Sequence, residues 1–60
     1  MTWAEISQAE FVAYIKLAGI NPDNPITVLS KREVSHHYGN NNLKMVQGLD
    51  GRVKYYRHAN

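Results

Sequence analysis

The sequence predicts an α+β fold in one small domain: two helices with a short strand and a C-terminal β-hairpin. Three observations carry that expectation. Hydroxyl and carboxylate residues recur at capping-box spacing ahead of apolar positions, at Thr2/Glu5, Ser7/Glu10 and Ser30/Glu33. The stretch Asn21-Pro22-Asp23-Asn24-Pro25 forbids any helix from running through it, because proline lacks an N–H and biases its predecessor to extended geometry. Asp50-Gly51, flanked by residues of high β-propensity, is a hairpin turn signal.

The chain has 60 residues, modestly above the floor of about 40 for folding without disulfides, metals or partners, so a second domain is excluded. Zero cysteines exclude a disulfide framework and a thiolate metal site. A hydrophobic fraction of 43% lies nearer to folded domains than to disordered chains. No apolar run reaches the roughly 18 residues that cross a bilayer, and the basic start and apolar stretch of a secretory signal are missing. A cytoplasmic chain without a membrane partner is expected.

The first helix is expected over about 3–18, starting from either Thr2 or Ser7. Phe11, Ile15 and Ala18 then fall at i, i+4 and i+7 with Val12 on the flank, and Gly19 closes the segment. Ile26-Thr27-Val28-Leu29 is β-branched and predicts a strand at 26–29, although so short a run also fits an extended lead-in to a helix. Ser30 with Glu33, then Val34 and Tyr38 at i+4, predict a second helix over about 31–38 ended by Gly39. Asn40-Asn41-Asn42 reads as a polar linker.

The hairpin is expected over about 43–57, around Gly48-Leu49-Asp50-Gly51. A loop of two or four residues gives opposed positions an odd index sum. Lys44 and Val46 would then share a face with Val53, Tyr55 and Arg57. Met45, Gln47, Arg52, Lys54, Tyr56 and His58 would form an opposite, cationic face.

Charge is unevenly distributed within a formal total of +2. Residues 1–42 are net negative, with Lys16, Lys31 and Arg32 against Glu5, Glu10, Asp23 and Glu33. Residues 43–60 are net positive, with Lys44, Arg52, Lys54 and Arg57 against Asp50. Tyr55, Tyr56 and His58 are interleaved with those cations, a pattern that suits a polyanion through counterion release and stacking, and equally keeps a sheet edge soluble.

Catalytic chemistry finds little purchase. Ser7, Ser30 and Ser35 lack a nucleophile elbow, and Glu5, Glu10 and Glu33 occupy capping positions. His36 and His37, adjacent on a helix, diverge by about 100° and cannot converge on one ion. Gly39, Gly48 and Gly51 do not match a phosphate-loop spacing. A non-enzymatic protein with no catalytic residue, no metal and no cofactor is expected. Trp3, Phe11, Tyr14 and Tyr38 are assigned to the core, with an anchor for a partner as the alternative.

Leu29-Ser30-Lys31-Arg32-Glu33-Val34-Ser35-His36-His37-Tyr38-Gly39 resembles the first helix and turn of helix-turn-helix DNA-binding modules. The resemblance implies that Ser35 is the small residue admitting a second helix, that Gly39 makes the turn, and that Asn42 starts a recognition helix through Gly48. Residues 42–48 thus stay open between strand and short helix. The element order is similar to that of winged-helix proteins, which implies a degenerate winged-helix-like fold with the hairpin as wing.

Charge and resemblance together lead to a DNA-binding or DNA-associated regulatory protein. Lys31, Arg32, Lys44, Arg52, Lys54, Tyr56 and Arg57 would meet duplex DNA. The alternative is a protein-binding inhibitor or adaptor, or a homodimer, acting through the first helix or the hairpin edge.

Overall fold

Alternation of side chains, rather than a helical stripe, governs the first residues of the chain. Trp3 and Glu5 point to one side and Ala4 and Ile6 to the other, in strand β1 (Thr2–Ile6). The computed structural model describes residues 2–39 and 42–59; the expected linker at Asn40 and Asn41 lies outside them. After β1 come helix α1 (Gln8–Ala18) and strands β2 (Ile26–Leu29), β3 (Glu33–Tyr38), β4 (Leu43–Gly48) and β5 (Val53–Ala59). The strands form one five-stranded antiparallel sheet in the order β1-β5-β4-β3-β2.

This corrects the expected fold. One helix lies against a sheet, in place of two helices with a single hairpin. The first helix starts at Gln8, because Ser7 takes the cap: its Oγ accepts from Glu10 N at 3.1 Å while Glu10 Oε1 accepts from Ser7 N at 3.2 Å. The helix ends at Gly19, whose N–H bonds back to Lys16 O.

The second expected helix does not form. Its residues are the β2–β3 turn and strand β3, so Leu29–Gly39, the stretch carrying the helix-turn-helix resemblance, contains no helix. Ser30 Oγ accepts from Arg32 N at 3.4 Å and Glu33 N at 3.2 Å, the same hydroxyl-to-backbone bonding that a helix cap uses, here closing a β-turn. Residues 43–48, left open above, form strand β4.

The β4–β5 register overturns the expected faces. Gly48 N–H bonds to Arg52 O at 2.9 Å across Leu49-Asp50-Gly51, a loop of odd length with Gly51 at φ 84° in its left-handed position. Lys44 therefore opposes Tyr56, and Val46 opposes Lys54. Met45 opposes Tyr55, and Leu43 opposes Arg57.

Helix α1 covers the face that carries Leu43, Tyr38 and Tyr55. Phe11 meets the Tyr55 ring at 4.8 Å between centroids and the Tyr38 ring edge-on at 5.5 Å. Phe11 and Leu43 are the buried apolar side chains among the described residues, and burying one such side chain contributes about 1.5–3 kcal/mol. Gly39, at φ 57°, lies against Ile20, where a Cβ would come 2.5 Å from Ile20 Cδ1.

With so small a core, single contacts matter. Ser7→Ala is expected to lose about 1 kcal/mol through the cap, lowering the thermal midpoint by about 4–8 °C in a domain of this size; a calorimetric scan checks it. Burial, and secondarily Tyr55, pushes the Tyr38 phenol above its ordinary value of 10.0. The unfolded chain then releases this proton first, so stability is unaffected well below pH 10 and falls as pH rises through and beyond it. Urea titrations across that range should show a shallower alkaline decline in Tyr38→Phe than in the parent.

Candidate functional site: the helix-free sheet face

The face away from α1 is left uncovered, and strand parity decides what stands on it. From β1 to β2 one cross-strand row reads Glu5, Tyr56, Lys44, His37, Ile26. Trp3 and His58 pair in the row beyond it. On its other side lie Lys54, Val46, Ser35 and Val28.

These side chains form one cluster. The Trp3 and His58 rings lie 3.9 Å apart between centroids, and His37 meets Trp3 edge-on at 5.9 Å. Lys44 Nζ stands 4.5 Å from the Trp3 ring centre and 5.2 Å from that of Tyr56, a cation–π arrangement worth about 0.5–1 kcal/mol where water has access. Trp3, Lys44, Tyr56 and His58 are half-buried, and Lys54 is exposed. Ser35, small and buried, keeps the middle of this face shallow between Val28 and Val46.

The structure gathers only part of the expected site. Lys44, Lys54 and Tyr56 share this face, although Lys44 was expected opposite the other two. Arg57 lies on the helix side of the sheet, across from Leu43 and Ala4, and so leaves the set. Arg52 stands in the β4–β5 turn with its Nε 3.4 Å from Asp50 Oδ2, an exposed pair of small energetic weight. Lys31 and Arg32 are exposed in the β2–β3 turn. Trp3, expected in the core, and His37, set aside as a metal ligand, complete the cluster together with His58, which was expected on the cationic face with Lys54 and Tyr56. Strand alternation of Trp3 and Glu5 against Ala4 and Ile6 was the signal that could have placed Trp3.

Metal-ligating chemistry finds no constellation. Among the described residues there is no group of three His, Cys, Asp or Glu able to hold an ion. His36 and His37 lie on opposite sides of β3, with His36 Nδ1 2.9 Å from Thr27 Oγ1. His37 Nδ1 is covered and has no hydrogen-bond partner. No family model, no curated protein and no solved structure matches this chain.

Elsewhere, a groove of about 510 Å³ runs beside α1, lined by Phe11, Val12, Ile15, Ile20 and Tyr38 among others. It is mostly apolar and gathers no set of polar groups that could act on a substrate. No helix among the described residues is long and apolar enough to cross a membrane. The expected hairpin has no free edge, since β4 pairs with β3 and β5 with β1.

Trp3 is the single tryptophan, so its emission reports on the cluster. Lys44→Met keeps the aliphatic stem and removes the ammonium. It is expected to shift Trp3 emission and cost about 0.5–1 kcal/mol, read by fluorescence during urea unfolding.

Proposed function

We propose that the helix-free face is a stacking platform for single-stranded nucleic acid. Trp3, Tyr56 and His58 take bases, and Lys44 and Lys54 take phosphates. The observation that carries this reading is the interleaving of aromatic rings with lysines on one uncovered sheet face. Aromatic rings clustered on an uncovered sheet face suit unpaired bases, which leads from the expected duplex DNA to a single strand. The setting proposed is cytoplasmic and the role non-enzymatic.

Magnitudes favour the exchange that binding requires. Lys44 sits over the rings for about 0.5–1 kcal/mol, whereas a stacked base contributes about 1–3 kcal/mol. A base can therefore displace the ammonium, which a neighbouring phosphate then engages.

Charge is the lesser contribution. Glu5 and Glu33 share the face with Lys44 and Lys54, and Arg52 already has Asp50. Two neutralised phosphates imply a slope of log affinity on log salt of about −1.4 for a single strand, shallower than a surface governed by cations.

Quenching of Trp3 fluorescence by oligothymidylate in about 50 mM salt tests the reading. Trp3→Ala, followed by anisotropy of a labelled oligonucleotide, should weaken binding about 5–150-fold, the equivalent of one stacked base. The double change Lys44→Glu and Lys54→Glu should weaken it and remove its salt dependence, while Arg57→Glu on the opposite face should leave it near the parent value. Absence of binding, or equal sensitivity to Arg57→Glu, would overturn the proposal.

A further inference from the structure

Strand β2 ends the sheet without the usual protection of an edge. Ile26, Val28 and Leu29 are 68%, 51% and 75% exposed, and no residue from Ile26 to Leu29 carries a charge. The opposite edge, β1, carries Glu5. Natural edges are commonly blunted with lysine, proline or a bulge, and within Ile26–Leu29 β2 has none of these, only its shortness and the Pro25 that precedes it.

Its backbone can be read group by group. Ser30 N–H bonds to Glu33 O, so in an antiparallel ladder Val28 and Ile26 also turn their N–H and C=O inward to β3. Thr27 and Leu29 turn theirs outward. We propose that this edge pairs with β2 of a second copy of the chain, joining two five-stranded sheets into one.

The register follows from symmetry. Antiparallel neighbours related by a two-fold axis keep each sheet face on its own side, so the paired indices sum to an even number. Centring the pair on Thr27 would set Leu29 against Pro25, which has no N–H to donate. Centring it on Val28 sets each Thr27 against Leu29 of the other copy, and both outward residues of both copies then donate and accept. Val28 meets its own copy, and Ile26 meets Ser30.

Charge agrees with this register. Past the strand ends, the turn bearing Lys31 and Arg32 comes alongside the segment bearing Asp23 of the second copy, so unlike charges are neighbours. The two-fold axis also puts both helix-free faces on the same side of the joined sheet. Lys44 and its copy are then five strand spacings apart across the sheet and four residues apart along it, about 28 Å on a flat sheet.

Sedimentation of the full chain without nucleic acid tests the dimer independently of the nucleic-acid proposal. The expected result is a shift from 6.9 kDa toward twice that mass over about 1–300 μM, the range of a modest contact. Val28→Lys and Val28→Glu each place like charges against each other and should weaken association at least tenfold. Their equal mixture should restore the dimer, because only the Val28-centred register opposes the two charges. A parent chain that stays monomeric, a single variant that still dimerises like the parent, or a mixture that stays monomeric would overturn the inference. Should either variant lose its sheet signal in circular dichroism, Leu29→Pro decides: it removes an outward N–H and no β3 bond, so a monomer supports the pairing and a dimer refutes it.

Discussion

The hydrogen bond from Gly48 N–H to Arg52 O, closed over Leu49-Asp50-Gly51, determines which way every residue of the two central strands points. An added or removed loop residue would turn one of these strands over relative to the other. Either Lys44 or Lys54 would then lie on the side of Phe11, where a lysine without a partner loses its hydration, and either Leu43 with Met45 or Tyr55 would face water. Loop length and apolar pattern therefore demand the same register. Asp50 Oδ1 reinforces it by accepting from Arg52 N at 3.0 Å, which gives the Asp-Gly pair a role beyond supplying a bend.

Elements whose signal belongs to a single period were legible in the sequence. The Gly19 stop, strand 26–29 and the C-terminal hairpin match elements of the structure, and of the two starts offered for the first helix the Ser7/Glu10 capping box is the one used. The second helix rested on Val34 and Tyr38 at i+4, a spacing that shares a face in a strand as well as in a helix. Ser35, His36 and His37 between them have low helix propensity, and the hydrogen-bonding partners on either side of β3 favour the extended form. Ser30/Glu33 was equally ambiguous, because a serine hydroxyl serves a β-turn as well as a helix start. The cationic hairpin was visible, but its faces depended on a loop parity that Gly48-Leu49-Asp50-Gly51 leaves undetermined. The β4 residues were the ones this misplaced: Lys44 and Val46 face with Tyr56 and Lys54, and Met45 and Gln47 with Tyr55 and Val53.

One short helix cannot cover five strands, and this sheet shows the consequence on both sides. Phe11 reaches Tyr38 and Tyr55, while Leu29 and Val53, on the same side, remain exposed. Among the described residues the far side has no helix, and its middle is furnished with groups that tolerate water, namely rings with polar tips, lysines with apolar stems and a serine at the centre, while Ile26 and Val28 stand exposed at its β2 end. Such a face gives up some apolar burial in a chain whose length already limits its core. The same composition makes it able to accept a flat ligand.

Trp3 comes from β1 and the remaining cluster residues from β3, β4 and β5, so the face is complete only when the two ends of the chain meet, with Thr2 opposite Ala59. Closing a connection of that length costs more entropy than closing the β2–β3 or β4–β5 hairpin, though only logarithmically more. A meander of β2 through β5 is locally connected and can form first; β1 docking then depends on Trp3 settling against His58 and on Ile6 reaching the row of Tyr55. The stacking of Trp3 on His58 thus belongs at once to the closing step of the fold and to the surface proposed to bind bases. A ligand that engages Trp3 in place would stabilise the pairing of the termini by mass action, coupling the least local contact of the sheet to occupancy of its open face.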